Sequence, residues 1–181
     1  NYDETLKLWN YQAPKKSIKF LKETLNIKPK NILDLACGTG LFGGELKKIY
    51  PKSNIYGSDI SEKSLKISSD KKIYIKLKNK NFEELHYYNT KFDLISLIGS
   101  MTYCKNFEKL FANINKNIKK KGFVLFTHRV DLWKQQDFFN ILKTYQKTFK
   151  ITKISRPLNY LPLNKDFKNK IKIKIVLLQK Y

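Results

Sequence analysis

The sequence predicts an open, doubly wound α/β domain with a mostly parallel sheet, and three patterns along the chain support this fold class. Apolar segments typical of strands alternate with amphipathic segments typical of helices from residue 31 onward. A glycine-containing loop follows the first strand at 36–40, and Asp59 ends the second strand. The last two strand patterns are joined without a helix, which predicts an antiparallel hairpin at the end of the chain.

The first half of the chain is expected to contain three helices and three strands. Pro14 suits the first turn of a helix, and Pro51 ends the helix that follows the glycine-containing loop. Ser61 and Ser64 open the next helix. The strands are predicted at 31–35, 54–58 and 73–78, and the helices at 14–26, 41–50 and 61–69.

The second half begins with an irregular segment at 79–90 and then resumes the alternation of strands and helices. Lys121-Gly122 ends one helix, and a longer amphipathic helix carries Trp133, Phe138 and Leu142 along its apolar side. The strands are predicted at 92–98, 123–128, 151–155 and 170–179, and the helices at 106–119 and 131–149.

The composition indicates one globular domain over residues 1–181. Hydrophobic residues make up 41% of the chain, which is enough for a buried core. No apolar run approaches the roughly 20 residues of a membrane-spanning helix. Two cysteines are too few for a disulfide framework or a cysteine-based zinc site. We therefore expect a cytoplasmic protein, a monomer or a homodimer, with neither a metal nor a membrane partner.

The formal net charge of +22 raises the question of nucleic-acid binding. Only Arg129 and Arg156 are arginine, the residue type that usually provides specific phosphate and base recognition. Lysine, asparagine, isoleucine and tyrosine all have AT-rich codons, so genome composition alone could produce much of the excess. We favour scattered, solvated lysines over an RNA-binding groove, and we expect non-specific binding to polyanions in vitro.

The loop after the first strand and the acid after the second predict a nucleoside site. Gly38 and Gly40 let the backbone turn sharply and approach a ligand at the N-terminus of the next helix. The loop lacks the Gly-Lys-Ser/Thr ending of a triphosphate loop, and Ala36 breaks the G-x-G-x-x-G dinucleotide fingerprint. Asp59 can accept hydrogen bonds from the two hydroxyls of a ribose. The alternative role for Asp59 is a helix cap before Ser61.

These two motifs carry a family resemblance. Asp-Leu-Ala-Cys-Gly-Thr-Gly at 34–40, with Asp-Ile-Ser at 59–61, resembles motif I and its acidic partner in class I S-adenosylmethionine-dependent methyltransferases. The resemblance covers nearly the whole chain and implies a Rossmann-like, seven-stranded sheet in the order 3-2-1-4-5-7-6, with an antiparallel C-terminal strand. A closer resemblance is to the methyltransferase-like group that includes the Williams–Beuren region protein. It rests on Tyr-Gln-Ala-Pro at 11–14, Ile-Gly-Ser at 98–100 and the G-x-V-x-x-T-x-R pattern at 122–129.

The resemblance implies a site for S-adenosylmethionine, which becomes S-adenosylhomocysteine after the reaction. Asp59 would hold the ribose, Asn81 would accept a bond from the adenine amino group, and Asp34 would steady the loop and reach the methionine amino group. Residues 1–28 would form a helical lid, although plain packing is the alternative for its aromatic residues; for Phe82 the alternative is a core position. The implied cofactor residues are Tyr11, Asp34, Ala36, Gly38, Thr39, Gly40, Asp59, Ile60, Asn81, Phe82, Ile98 and Gly99.

The expected function is transfer of the methyl group to a small-molecule acceptor, in a pocket roofed by the lid and by residues 156–168. The fourth strand lacks the Asn/Asp-Pro-Pro-Tyr/Phe loop that grips exocyclic amino groups, and no Pro-Cys nucleophile is present. Tyr103, His128 and Arg129 are the candidates for contact with the acceptor. Their alternatives are core lining, strand-end packing and a surface ion pair, respectively. Methylation of RNA or protein, and cofactor binding without catalysis, are the alternative functions.

Overall fold

The centre of the structure is a mixed β-sheet. The computed structural model describes residues 2–168 and 170–181, and eight strands from these residues form one sheet. The strands are β1 (Asn31–Leu35), β2 (Asn54–Asp59), β3 (Lys76–Asn79), β4 (Phe92–Leu97), β5 (Ile118–Arg129), β6 (Phe149–Ile154), β7 (Leu158–Asn159) and β8 (Lys172–Lys180). They lie in the order β3-β2-β1-β4-β5-β8-β6, and the two-residue strand β7 pairs with β8.

The strand pairing confirms the predicted fold class. β1 pairs in parallel with β2 and with β4, while β3 and β5 extend the parallel part at either side. β8 runs antiparallel to both β5 and β6, as expected for a terminal hairpin. The seven longer strands follow the predicted order. The C-terminal strand is numbered β8 rather than β7 only because the two-residue strand β7 precedes it in the chain. The chain leaves β1 for β2 on one side and later returns to β4 on the other, so a topological switch point lies between β1 and β4.

Helices cover both faces of the sheet. They are α1 (Tyr2–Leu8), α2 (Ala13–Thr24), α3 (Leu41–Ile49), α4 (Glu62–Asp70), α5 (Phe107–Asn117), α6 (Val130–Gln135) and α7 (Phe138–Thr144), with a 3₁₀ turn at Met101–Tyr103. The Ser61 side chain caps α4 by accepting a hydrogen bond from the Ser64 backbone N–H. Asn106 caps α5 in the same way through Lys109. The start signals that the sequence predicted for α4 are thus confirmed.

The sheet divides the core into two clusters. Neighbouring strand residues point to opposite faces, so Leu33 and Ile95 join the side chains of α5, α6 and α7, whereas Ile32 and Leu94 join those of α2 and α3. β1 is buried along its whole length, which is typical of a parallel strand covered on both sides. This burial on both faces holds the carboxyl ends of β1 and β4 rigidly in place.

The helix predicted over 131–149 is wrong as a single element. α6 ends at Gln135 and α7 begins at Phe138, because Asp137 between them adopts a left-handed backbone with φ of 49°. A left-handed residue interrupts the helical hydrogen-bond ladder. The apolar periodicity was nevertheless informative, since Phe138 and Leu142 are buried in the cluster that also contains α5.

Several other boundaries also differ from the predictions by a few residues, among them those of β3 and α5. β3 begins at Lys76 rather than at 73, because Ile73 and Tyr74 pack their side chains beside α3 instead of pairing along β2. The helix predicted over 106–119 ends at Asn117, and the lysines that follow already belong to β5. Asn1, with which the predicted lid begins, lies outside the described residues.

Candidate active site

A cavity of about 570 Å³ opens at the carboxyl ends of β1, β2 and β4. This is the edge of the sheet where the switch point lies, and where doubly wound folds bind their ligands. The loops that follow the three strands supply most of its wall, and α1 supplies part of the remainder. The lining includes Tyr2, Leu6, Tyr11, Asp34, Ala36, Gly38, Asp59, Asn81, Phe82, Ile98, Gly99, Ser100, Tyr103 and Tyr160.

The loop after β1 is a tight turn with left-handed residues at alternate positions. The angle φ is 50° at Ala36, 55° at Gly38 and 85° at Gly40. Glycine adopts these angles without strain, whereas alanine does so at a cost of about 1 kcal/mol. The Cys37 backbone N–H donates to the Ser58 carbonyl on β2 at 2.9 Å, which holds the strained segment in place. The backbone of the loop is therefore shaped by the protein itself, and α3 begins directly behind it.

Asp59 fastens this loop to β2. Its Oδ2 accepts a hydrogen bond from the Gly38 backbone N–H at 2.8 Å, and its Oδ1 accepts one from the Ser61 backbone N–H, also at 2.8 Å. Each carboxylate oxygen has a second lone pair, so Asp59 can still accept two hydrogen bonds from a ligand in the cavity. The cap of α4 is the Ser61 side chain rather than Asp59, which supports the helix start only through the backbone of Ser61.

Asp34 places a buried carboxyl group beneath the loop. It is 1% exposed, and its two oxygens accept hydrogen bonds from the Ser96 hydroxyl at 2.7 Å and the Tyr74 hydroxyl at 2.8 Å. Burial raises the pKa of Asp34 to about 6, while the two hydrogen bonds partly oppose that rise. At neutral pH the group is therefore mostly ionised, and it can attract a cationic part of a ligand.

The Tyr74 ring fills a slot lined by glycines. A Cβ added at Gly43 would overlap the Tyr74 hydroxyl, and one at Gly57 would lie 2.9 Å from the ring. A Cβ at Gly40 would lie 3.2 Å from the same ring. These glycines therefore make room for the side chain that holds Asp34. Sequence analysis missed Tyr74, because it lies in a lysine-rich segment whose alternation indicates an ordinary strand.

The segment after β3 brings Asn81 and Phe82 to the cavity, and a buried polar network holds it from behind. The His86 ring Nε2 lies 2.9 Å from the Asn81 carbonyl, and the Asn113 side chain donates to the Phe82 carbonyl at 3.0 Å. The Asn113 side-chain oxygen also accepts from the His86 backbone N–H at 2.8 Å. Burial lowers the pKa of His86, so the neutral ring donates from Nε2 to the carbonyl.

The Asn81 side chain also has a role within this segment. Its oxygen accepts a hydrogen bond from the Glu83 backbone N–H at 3.0 Å. One lone pair of that oxygen is still available to a ligand. The predicted contact with an amino group of the ligand is therefore compatible with the bond that the segment itself uses.

Four hydroxyl groups lie around the backbone at the tip of β4. The chain turns at Gly99, where φ is 83° and the backbone N–H donates to the Thr127 hydroxyl at 2.8 Å. A Cβ added at Gly99 would overlap the Tyr11 hydroxyl and would lie 3.9 Å from the Tyr160 hydroxyl. Ser100 is buried, and its hydroxyl has no hydrogen-bond partner among the residues that the structure describes.

The three candidates for acceptor contact lie in different environments. Tyr103 lines the cavity and is 74% exposed. His128 is buried away from the lining, where its Nε2 lies 2.9 Å from the Gln136 side chain and burial lowers its pKa. Arg129 pairs with Asp131 at 2.6 Å and also lies outside the lining. Of the three, only Tyr103 is placed where it could meet a ligand in this cavity.

Several polar contacts fasten the N-terminal segment beside the cavity, both near its start and near its end. Near its start, Asp3 pairs with Lys71 at 2.7 Å and accepts a hydrogen bond from the Thr39 hydroxyl. At its end, the Gln12 backbone N–H donates to the Tyr160 carbonyl at 3.2 Å. The residues of this segment that line the cavity are Tyr2, Leu6, Tyr11 and Pro14.

The predicted cofactor residues converge on this one cavity, with a single exception. All of them contribute to the lining except Gly40, which lies against Tyr74 at the start of α3. Ser100 and Tyr160 were not named as site residues. The Ile-Gly-Ser motif at 98–100 and the expected roof at 156–168 were the signals that could have identified them.

Known proteins with similar sequences are methyltransferases. A family model described as a methyltransferase domain matches residues 7–145. The chain is 33% identical over 130 residues to malonyl-[acyl-carrier protein] O-methyltransferase 2 of Ilyobacter polytropus, covering 70% of this chain and 48% of that protein. It is 29% identical over 106 residues to malonyl-[acyl-carrier protein] O-methyltransferase of Legionella pneumophila, covering 57% and 37%, respectively. The chain thus spans about half the length, or less, of these relatives.

A solved structure shares the fold over most of the chain. It is the O-methyltransferase from a trans-AT PKS multienzyme of Brevibacillus brevis, in complex with S-adenosyl-L-homocysteine. The TM-score is 0.70 at 18% identity, and the likeness covers 93% of this chain and 72% of the other. In the described residues, no helix is long and apolar enough to cross a membrane, and His, Cys, Asp and Glu side chains form no group of three that could hold a metal.

Proposed function

The chain belongs to the methyltransferase-domain family, and on that premise we propose that it transfers the methyl group of S-adenosylmethionine to an acceptor bound in the same cavity. One observation carries this proposal. The loop after β1 and the carboxylate at the end of β2 are bonded to each other, and both face one cavity with Asn81 and Ile98. A nucleoside with an amino-acid tail matches such a donor set.

The chemistry of the residues present fits this cofactor part by part. Asp59 has two lone pairs for the ribose hydroxyls, and Ile60, which is 70% exposed beside it, offers an apolar surface for the adenine. Asn81 and Phe82 would bind the other side of the base. Asp34 and the loop backbone would hold the cationic amino group of the methionine part. Gly40 would act through the start of α3 rather than by contact.

The cofactor supplies a methyl group on a sulfonium, which is already a strong electrophile. The protein therefore has to align the acceptor and to exclude water, and a general base is needed only for an acceptor of high pKa. Tyr11, Ile98 and Gly99 would shape the region next to the methyl group. We propose that residues 1–28 close over the bound cofactor, because Asp3 and Gln12 already fasten that segment to Thr39 and Tyr160.

We propose a small-molecule acceptor, since about 570 Å³ has to hold both the cofactor and the reacting part of the acceptor. A second candidate is an acyl group carried on a protein. The names of the curated relatives favour it, because they describe methylation of malonyl-[acyl-carrier protein]. In that case only the acyl end would enter the cavity.

The experiment that tests this function follows the label from S-adenosylmethionine carrying a tritiated methyl group in a fractionated cell extract. Label in the small-molecule fraction would support the first proposal, and label in acid-precipitable protein would support the second. Label in RNA would identify the expected alternative, methylation of nucleic acid. Binding of the cofactor with no label transferred to any fraction would contradict the proposed transferase activity and indicate a non-catalytic binding protein.

A further inference from the structure

A second, positively charged cleft lies at the edge of the sheet opposite the cavity. Its volume is about 330 Å³, and it lies where β4 and β5 begin. Lys28, Lys119, Lys120 and Lys121 line it, and Asp93 is the only acidic side chain that the described residues contribute to its wall. This carboxylate accepts from the Lys119 ammonium and from two backbone N–H groups, so most of the positive charge in the cleft is left without a counter-charge.

The fold extends this positive charge beyond the cleft. β8 runs antiparallel to β5, so Lys180 at the end of β8 lies beside the start of β5. The Lys180 ammonium donates to the Asn115 carbonyl, and the Lys91 ammonium donates to the carbonyl of the next residue, Lys116. Burial and the nearby charge of Lys91 lower the pKa of Lys180, as expected where cations are crowded together. We call the following seven residues the basic edge: Lys28, Lys91, Lys116, Lys119, Lys120, Lys121 and Lys180.

Most of the basic edge has no acidic partner. Lys119 is the only one of the seven that forms an ion pair within the part of the chain that the structure describes. The sequence predicted scattered, solvated lysines, but folding gathers lysines from position 28 to position 180 at one edge of the sheet. Like charges at such close range repel one another, so an anion that contacts several of them at once is bound favourably.

An exposed aromatic ring lies at one end of the basic edge. Tyr87 is 64% exposed, and the Lys116 ammonium lies 4.0 Å from the centre of its ring. The Lys78 ammonium donates to the Tyr87 carbonyl, which ties the backbone of this residue to β3. A ring that is fixed at its backbone and exposed to solvent provides a surface on which an unpaired base can stack.

We propose that the basic edge binds the phosphate backbone of a single-stranded nucleic acid, with one base stacked on Tyr87. The lysines supply point charges rather than base recognition, so the binding is independent of sequence. Positive charge that continues from the cleft to Tyr87 favours an extended chain over a single small anion. The exposed ring favours a nucleic acid over a polyanion without bases. This inference does not depend on the proposed function.

The basic edge and the cavity lie at opposite ends of the parallel strands. β1 has five residues, which separate the two edges by about 17 Å at about 3.3 Å per residue. A nucleic acid on the basic edge therefore leaves the cavity open to its own ligands. It is a docking partner of the protein and not the methyl acceptor.

The test compares two double variants that lose the same charge. Fluorescence anisotropy at increasing salt follows binding of a labelled oligouridylate of about twelve nucleotides to the full chain. Lys28→Gln/Lys120→Gln should weaken binding by about fivefold or more at low salt, and the slope of log K against log salt should fall by about 1.4, at about 0.7 per phosphate contact. The control is Lys63→Gln/Lys66→Gln on the exposed face of α4, which should keep the slope of the parent chain.

Tyr87→Ala tests the stacked base. It should weaken binding of the oligouridylate by about fivefold or more, but it should leave binding of heparin, a polyanion without bases, unchanged. Equal losses in the two double variants would mean that the net charge acts without a defined surface, and would overturn the proposal. Binding of the oligouridylate that is unaffected by Tyr87→Ala would overturn it as well.

Two further measurements complete the test. The thermal unfolding midpoints of the variants should stay within about 2 °C of the parent chain, which shows that the losses of binding do not come from unfolding. Saturating S-adenosylhomocysteine should change the affinity for the oligouridylate by less than about twofold, because the two sites are uncoupled. Displacement of the oligouridylate by S-adenosylhomocysteine would place the nucleic acid in the cavity and overturn the docking surface.

Discussion

Asp34 shows how one buried residue links the stability of the fold to the site. Its carboxyl lies under the glycine-containing loop, and burial raises its pKa from 3.8 to about 6. The folded protein therefore holds the proton more tightly than the unfolded chain does. The stability that this proton provides is fully present below about pH 4 and is lost as the pH rises through about 6.

The first prediction follows from that linkage. The contribution of Asp34 to the free energy of unfolding should fall by about 3 kcal/mol between about pH 4 and pH 7, at about 1.4 kcal/mol per pKa unit. Urea unfolding of the parent chain and of Asp34→Asn across this range measures it. The difference between the two free energies should change with pH by that amount, because Asn cannot titrate. Parallel pH profiles for the two proteins would contradict a raised pKa for Asp34 in the folded protein.

Some residues of the site could be predicted from the sequence, and others could not. Asp59 and the loop glycines were predicted because their types and spacing relate directly to a ligand, and Asp34 was predicted from the family resemblance of the motif that contains it. Tyr74 was not, since its role depends on a slot formed by glycines from two other segments. Such a role comes from packing between distant parts of the chain, and no local pattern encodes it.

The helix α3 offers a matched test of that slot. Gly43→Ala should destabilise the protein by about 1–3 kcal/mol, because the added Cβ would overlap the Tyr74 hydroxyl. Gly44→Ala is the control on the same helix, since its Cβ would meet only Ile73 at an ordinary 3.7 Å. It should be stabilising by about 0.5–1 kcal/mol. Thermal or urea unfolding of both variants measures the difference, and similar stabilities would show that Tyr74 is not confined by α3.

The helix α5 supports the segment after β3, which brings Asn81 and Phe82 to the cavity. Asn113 binds both the Phe82 carbonyl and the His86 backbone N–H, so Asn113→Ala should release the segment that carries Asn81. We expect the affinity for S-adenosylhomocysteine to fall by about 3- to 10-fold, equivalent to about 1 kcal/mol. Asn115→Ala, on the exposed face of the same helix, should leave the affinity unchanged. Calorimetric titration compares them, and equal affinities would mean that the segment is held without α5.

The sequence predicted which segments form strands and helices better than it predicted where each of them begins and ends. Every predicted strand is present, because apolar alternation and buried runs report which faces are covered. The prediction of one long helix at 131–149 was wrong at Asp137, because the apolar periodicity continues across this left-handed residue. The start of β5 was missed because consecutive lysines look like the end of a helix, whereas Ile118 before them is buried in the sheet.

The charge of the whole molecule predicts two different responses to salt. With a formal net charge of +22, the chain should bind RNA or heparin without sequence preference, with an affinity that falls steeply as salt rises. Binding of S-adenosylhomocysteine depends on short contacts in the cavity and should change little over the same range. Titrations of both at increasing salt measure the slopes. A steep slope for S-adenosylhomocysteine as well would mean that the surface charge governs the site.

The fold brings all of these parts to one edge of the sheet, and the central claim is that this edge binds S-adenosylmethionine through Asp59. The most direct measurement is calorimetric titration of S-adenosylhomocysteine into the parent chain and Asp59→Asn, with Asp70→Ala on the exposed end of α4 as the control. We expect Asp59→Asn to weaken binding by about 1–3 kcal/mol, or about 5- to 150-fold, and Asp70→Ala to leave it unchanged. No binding by the parent chain, or full affinity in Asp59→Asn, would contradict the claim.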